Sequence, residues 1–371
     1  VMRIFPHDIL FFRESRDFSA GENHVAESTE PLPHTIAGAI MGAIYERDRL
    51  DLLKLRRNGN KLEKIPDPES WEPGFSLLGT FLGLKGEPLF PLPMDIVEID
   101  GKPVLPRAHL LPNGRKVVVV ESGEKKSLHF DPIAGFLRAE HLRGYLSGEF
   151  AKGEIPEDAI VDTRSVYQRE TRIGIGLNDR KTTEEGLLYR VSALRFSKDA
   201  SIMVYFDPNE EAVRSVIGER GTLKLGGESR FADFEFEAGK FPLVTEGEVK
   251  AGQKFRLYVA TPVILEGERV ETFIKKELNA CVVKVFTDRL IRITGWDEVE
   301  KRPKPTYYAI PAGTVFWLKA EKDLTVRPRL GKMTWAGYGL VLIGSGWDEE
   351  GSRGNLGQPL PVGGNRIQGE L

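Results

Sequence analysis

Twice along this 371-residue chain, glycines stand immediately before an apolar, strand-like run: "LGGESRFADFEFE" from Leu225 and "WAGYGLVLIG" from Trp335. Each closes a series of strand and helix patterns, so the same order is laid down twice. The first series opens with a strand over residues 2–12. Pro31 and Pro33 then lead into a helix over 34–49, because proline suits a helix start. Ile36, Ile40 and Ile44 recur at i+4 and form its buried stripe. Gly38 and Gly42 are also four apart and read as packing positions, where the helix approaches a sheet closely.

A Pro- and Gly-rich stretch over 56–111 reads as short hairpins and loop. A second helix pattern covers 132–148, followed by two strands near 165–176 and 187–196 with a polar tip between them. "SIMVYF" is a further strand, and Asp207 is placed to cap a helix over "PNEEAVRSVIG". The double-glycine turn then feeds the strand carrying Phe231, Phe234 and Phe236. This is the β-α-β-β-α-β order of a ferredoxin-like unit with a long insertion after its first helix. The order restarts at "KFRLYVATPVIL", with a helix at "VETFIKKEL" and strands near 281–286, 290–293 and 314–318 before the second glycine loop. The expected fold is α+β: two ferredoxin-like (RRM-like) halves, 1–240 with an insertion over about 50–163, and 241–371. No repeat is visible by identity, so the duplication rests on pattern. The glycine-rich tail after Gly344 reads as mobile or ordered by a partner.

A net charge of −3 does not announce a nucleic-acid binder, so any such site must be a local basic patch. The lone Cys281 excludes a disulfide framework or a cysteine-rich zinc site, suits a reducing cytoplasm, and sits in an apolar strand where cysteine is inert. The longest apolar run has ten residues, half of the ~20 a bilayer needs, and the N-terminal stretch does not read as a signal peptide.

Small-molecule and catalytic motifs fail in turn. "GIGLND" puts Asp179 where a dinucleotide fingerprint needs its third glycine, and no Gly-Lys pair is followed by Ser or Thr. The six histidines lack the i+4 spacing of a zinc hydrolase, and no Gly-x-Ser-x-Gly elbow is present. His24 and His34 flank a loop and are the residues that could act as acid and base in RNA cleavage. Otherwise no enzyme is visible, and no cofactor or metal is called for. Charge concentrates instead between Arg164 and Arg195, where seven basic residues stand against four acidic ones. Arginines alternating with Ile and Val on a hairpin can place cations on one sheet face, and Tyr189 adds a ring for base stacking.

Several blocks in order resemble the RAMP superfamily of CRISPR proteins, and within it the third RAMP subunit of the type III-B Cmr effector complex. They are "ILFFRESRDFSAGENHVAESTEPLPHTIAGAI", "RIGIGLNDRKTTEEGLLYR", "LGGESR", "IPAGTVFWL" and "GYGLVLIG". The resemblance implies a non-catalytic, cytoplasmic subunit of an RNA-guided antiviral ribonucleoprotein. Such a subunit grips the 5′ repeat-derived tag of the guide RNA and docks on the large polymerase-palm subunit. It also abuts the adjacent backbone RAMP subunit and meets target RNA through a hairpin thumb. Carried onto this sequence, the RNA contacts are Arg13 and Arg16 in the first loop, and Arg169, Arg172, Arg180, Lys181, Tyr189 and Arg190 in the hairpin. Gly226, Gly227 and Arg230 supply the glycine turn. Two alternatives stand beside this reading: a stand-alone RAMP endoribonuclease processing repeat RNA through His24 or His34, and the guide-capping subunit of a type I DNA-targeting complex.

Overall fold

The computed structural model describes residues 1–350 except 13–24, 67–69, 100, 111–115, 123–124, 128–130, 153–154, 178–182, 228–229 and 348. The fold is mixed α/β, with mostly antiparallel sheets and few helices. In chain order, the first elements that position the site are β1 (Met2–Pro6), α1 (Pro33–Tyr45), β2 (Leu77–Leu84), β3 (Glu87–Pro91), β4 (Phe136–Arg138) and α2 (Ala139–Ser147). A long hairpin, β5 (Tyr167–Leu177) and β6 (Thr183–Phe196), follows. Then come β7 (Ala200–Phe206), α3 (Glu210–Ile217), β8 (Arg220–Lys224) and β9 (Phe231–Phe236). The second half contributes β10 (Lys254–Val259), α4 (Val270–Leu278), β11 (Ala280–Phe286), β12 (Ile291–Ile293), β13 (Tyr307–Ile310), β14 (Val315–Ala320) and β15 (Val341–Gly344).

An eight-stranded sheet runs from Ile160–Val161 through β4, β3, β2, β7, β1 and β9 to β8. Its centre is β2-β7-β1-β9, each strand antiparallel to its neighbour, with Ile4 opposite Ile202 and Phe234. The second half builds a four-stranded antiparallel sheet in the order β11-β14-β10-β15. α1 packs through Ile36, Ala37, Ile40 and Ile44, as the i+4 stripe requires. Full burial of each isoleucine is worth about 1.5–3 kcal/mol, enough to hold a helix that has no side-chain cap. Two of the apolar clusters draw on both sides of residue 240. Met2 and Ile36 share one with Ile264 and Tyr338, and Phe90 and Leu142 share the other with Tyr258 and Trp317. Among the described residues, no helix is long and apolar enough to cross a membrane.

Several expectations shift. The first strand ends at Pro6, which lacks an N–H for continuing the ladder, and Leu10 bridges instead to Leu194 of the hairpin. The two middle strands of the first unit are β2 and β7. The hairpin, expected in that place, lies in a separate sheet whose third strand is Val25–Glu27, parallel to β6. β2 therefore comes from inside the stretch taken as an insertion. The helix expected over 132–148 begins at Ala139, because Phe136–Arg138 is drawn into the sheet beside β3, and it stops at Gly148 in the left-handed conformation. Asp207 does not cap α3; its carbonyl and carboxylate accept from Arg329. Cys281 is exposed, on the edge strand β11.

Candidate functional site

The hairpin pairs Gly174 with Tyr189 and Ile173 with Arg190, with an irregularity between Ile175 and Leu177. Directly opposed residues share a face. Arg169 and Arg190 therefore lie on one face, and Arg172 and Arg195 on the other, with Glu170. The cations are divided between faces, not gathered on one. Two of the four described hairpin arginines, Arg172 and Arg195, are also neutralised by nearby carboxylates. The Arg169 guanidinium donates to the Ser28 carbonyl at 2.7 Å. Glu170 accepts from Arg172 at 2.9 Å and from Arg195. Asp8 lies 3.3 Å from Arg195, 3.2 Å from Arg230 and 3.9 Å from Arg172. Arg190 is exposed and makes no ion pair among the described residues. Arg13, Arg16, His24, Arg180 and Lys181 lie outside the described residues, as does the side chain of Tyr189.

Hydrogen bonds from Arg195 and Arg172 hold the Glu170 carboxyl down at about 2. The Ile9 amide, followed by the three arginines, lowers Asp8 in the same direction. Both carboxylates are depressed in the fold, so their pairing is fully present above the ordinary carboxylate range and is lost as pH falls toward 2. Amide exchange in β5 and β6, corrected for intrinsic rate, is expected to keep its protection from about pH 7 to 5 and to lose it below about 4. Protection that persists unchanged to about pH 2 would show that these pairs do not hold the hairpin base.

The glycine turn closes onto Phe11. Gly226 has φ +84°, and an added Cβ would sit 3.0 Å from the Phe11 carbonyl oxygen. The Gly227 N–H donates to that same oxygen at 2.9 Å, so it is not available to a phosphate. What the turn does is wall one side of a groove of about 960 Å³. The second wall is α1, presenting Thr35, Gly38, Ala39, Gly42 and Glu46. The third is the segment from Arg292 to Thr306, with Trp296 and Lys304. Among the described residues, and apart from α1's own backbone, nothing lies within 4 Å of a Cβ built on Gly38 or Gly42, and both are exposed. The helix glycines face this open groove; they are not packing positions against a sheet.

Three cations line the groove, Lys224, Arg292 and Lys304, against one carboxylate, Glu46. Lys224 pairs with Glu46 at 3.0 Å. Arg292 and Lys304 make no ion pair among the described residues. The Lys304 ammonium is lowered first by burial, with Asp297 opposing and Lys64 adding to the shift. Asp297 is itself held by Lys64 at 2.5 Å. On the groove floor, His34 Nδ1 shares a 2.6 Å hydrogen bond with the Tyr338 hydroxyl, and the rings stack. Burial, with Lys304 nearby, drops His34 to about 4, so it is neutral at pH 7. Among the described residues, no three histidine, cysteine or carboxylate groups gather as a metal site. Sequence reasoning missed Lys224, Arg292, Trp296 and Lys304. The one local signal was the Gly38–Gly42 spacing.

A family model described as CRISPR-associated protein (Cas_Cmr3) matches residues 2–346. No curated protein matches the chain. Among solved structures, a chain of the type III-B Cmr-beta complex bound to cognate target RNA is 19% identical, with a TM-score of 0.51 over 85% of this chain and 86% of that one. A chain from the same complex bound to target RNA and AMPPnP is also 19% identical, covering 85% of each with a TM-score of 0.48. A chain of a Csm3–Csm4 subcomplex from a type III-A interference complex is 11% identical, covering 88% and 98%, with a TM-score of 0.38.

Proposed function

The chain belongs to the CRISPR-associated Cas_Cmr3 family, and from that premise we propose that it is a non-catalytic, guide-RNA-gripping subunit of a type III-B RNA-guided complex. The observation that carries the reading is the groove: an open channel with two cations that have no carboxylate partner among the described residues, in a chain whose net charge is slightly negative. A glycine-faced helix lets a sugar–phosphate backbone approach closely, and Arg292 and Lys304 supply the counter-charge. The solved relative with the higher TM-score was captured with target RNA in a Cmr-beta complex, which fits an RNA-facing role.

In this reading the groove takes the 5′ repeat-derived end of the guide. The hairpin, with Arg190 and the tip carrying Arg180 and Lys181, reaches toward the guide–target duplex. Other surfaces meet the large polymerase-palm subunit and the adjacent backbone RAMP subunit, in the cytoplasm. Both central strand orders, β2-β7-β1-β9 and β11-β14-β10-β15, are those of a ferredoxin-like unit, which supports two such folds. The second lacks a described helix between β14 and β15. A non-catalytic role fits His34, whose neutral ring is tied at Nδ1 to Tyr338 and cannot serve as a general acid at pH 7.

Arg292→Ala/Lys304→Met is expected to weaken binding of a single-stranded guide-tag RNA by about tenfold or more at near-physiological salt. The slope of log K against log salt should fall by about 1.4, since each lost phosphate contact on a single strand accounts for ~0.7. An unchanged affinity and slope would remove the groove from the RNA site. Metal-free incubation with repeat RNA is expected to leave it intact; cleavage that is lost in His24→Ala or in His34→Ala would favour the endoribonuclease reading.

A further inference from the structure

We infer that Trp296, Arg292 and Tyr308 form a stacking platform that carries single-stranded RNA out of the groove and across the outer face of the β12–β13 ribbon. The inference rests on the groove's being an RNA site and adds a second mode of contact, with bases instead of phosphates. Trp296 and Tyr308 are 52% and 55% exposed, which is costly for large rings that a core would accept. Single exposed aromatics are ordinary on protein surfaces, but these two are connected by a cation. In the β12–β13 register Arg292 lies directly opposite Tyr308, so their Cβ atoms are about 5 Å apart on one face. Both side chains point outward, while Ile293 and Ala309 on the other face are buried. Trp296 is four residues beyond Arg292, so at most ~14 Å of extended chain separates their Cα atoms.

The platform is built in advance of any ligand. Trp296 pairs with Pro303 across a short antiparallel ribbon, and the Lys304 amide donates to the Gly295 carbonyl at 2.8 Å. Trp296 lies at the groove wall beside Lys304, so the exposed rings continue the channel and do not form a separate patch. Charge decides between a strand and a protein as the occupant. Arg292 and Lys304 have no carboxylate partner among the described residues, whereas Asp297 is held by Lys64 and Glu298 by Lys301 at 2.8 Å. What the face offers outward is an indole, a phenol ring and a guanidinium plane. All three stack on nucleobases whatever their identity, and the cation also suits the phosphate between them.

The test compares the full-length protein with Trp296→Ala/Tyr308→Ala and Trp296→Phe/Tyr308→Phe. The probes are a 12-nucleotide single-stranded RNA and the same strand made abasic. Wild type is expected to prefer the strand with bases by about tenfold or more for each ring engaged. The alanine pair should lose that preference and keep the wild-type salt slope, because no phosphate contact is removed, and the phenylalanine pair should restore most of it. Both positions are exposed, so unchanged thermal melting confirms that the variants fold. Alanine variants that keep the wild-type preference for bases would overturn the platform. So would variants that bind RNA normally and instead lose association with another protein subunit. The groove reading fails separately, through an unaltered salt slope in Arg292→Ala/Lys304→Met.

Discussion

Asp95→Ala is expected to destabilise the fold by about 3–5 kcal/mol, the cost of stranding one member of a buried ion pair. Asp95 is fully buried, and Arg256 is 2% exposed. The carboxylate accepts from the Tyr145 hydroxyl at 2.7 Å, from Arg256 Nε at 3.1 Å and from the Trp317 indole at 3.1 Å. Arg256 Nη1 also donates to the carbonyls of Gly346 at 2.6 Å and Ser345 at 3.3 Å. The guanidinium lies 5.4 Å from the Trp317 ring centroid, and Trp347 stacks on Trp317 with ring centroids 5.0 Å apart. Burial first, and then the Asp95 charge, pushes the Tyr145 hydroxyl well above its ordinary value, so it stays a donor at every working pH.

This network fastens α2 and the loop after β3 to β10, β14 and the segment after β15. Removing Asp95 orphans three donors at once, in a place water does not reach. Arg256→Met leaves the carboxylate with its two neutral donors but without its cation, and is expected to cost a similar amount. The double variant Asp95→Leu/Arg256→Met should recover part of the loss, because the charge is gone from both sides. Urea unfolding midpoints for the three proteins check this. A single variant as stable as wild type would show that the pair does not hold the two halves together.

The helix and strands with a clear period were legible before the structure was known. Ile36, Ile40 and Ile44 do make the buried face of α1, and β7 and β14 fall where their apolar runs placed them; β10 starts at Lys254 as expected but ends at Val259, with Val263–Ile264 in another sheet. β2 was not legible. "LLGTFLGL" is buried on both faces, so it shows no alternation, and its glycines looked like loop text. They are required by packing: a Cβ on Gly79 would meet the Phe81 ring at 2.8 Å, and one on Gly83 would meet Met203 at 2.8 Å. The two hairpin strands fall close to the expected bounds, yet they lie in a different sheet from the one expected, because a strand's pattern does not name its neighbour. The groove was illegible for a related reason. Its walls come from residues 35–46, 224–227 and 292–306, and only the fold brings these together. Local charge counting favours the hairpin, where Glu170 and Asp8 already neutralise Arg172 and Arg195; it passes over Arg292 and Lys304, which have no carboxylate partner among the described residues.

Gly38→Leu/Gly42→Leu is the second change with a large expected effect, and its two consequences run in opposite directions. Glycine in an exposed helix interior is less favourable than leucine by roughly 0.5–1 kcal/mol, and apart from α1's own backbone no described residue lies within 4 Å of a new Cβ at either position. The variant should therefore fold at least as stably as wild type. The leucine side chains would project into the groove between the helix and the Arg292–Thr306 wall, displacing whatever lies there. Had these glycines allowed close packing, the same change would overfill a contact and destabilise by about 1–3 kcal/mol. A substitution at Gly226 makes a useful contrast, since its positive φ and the Phe11 carbonyl 3.0 Å away predict strain with no gain in helix propensity.

The decisive measurement is a paired one on Gly38→Leu/Gly42→Leu: urea stability of the free protein, and affinity for a single-stranded guide-tag RNA at fixed salt. The groove account predicts stability equal to or above wild type together with an affinity loss of about a hundredfold. Stable protein that binds the RNA with wild-type affinity would contradict it, and would move the RNA site to the hairpin.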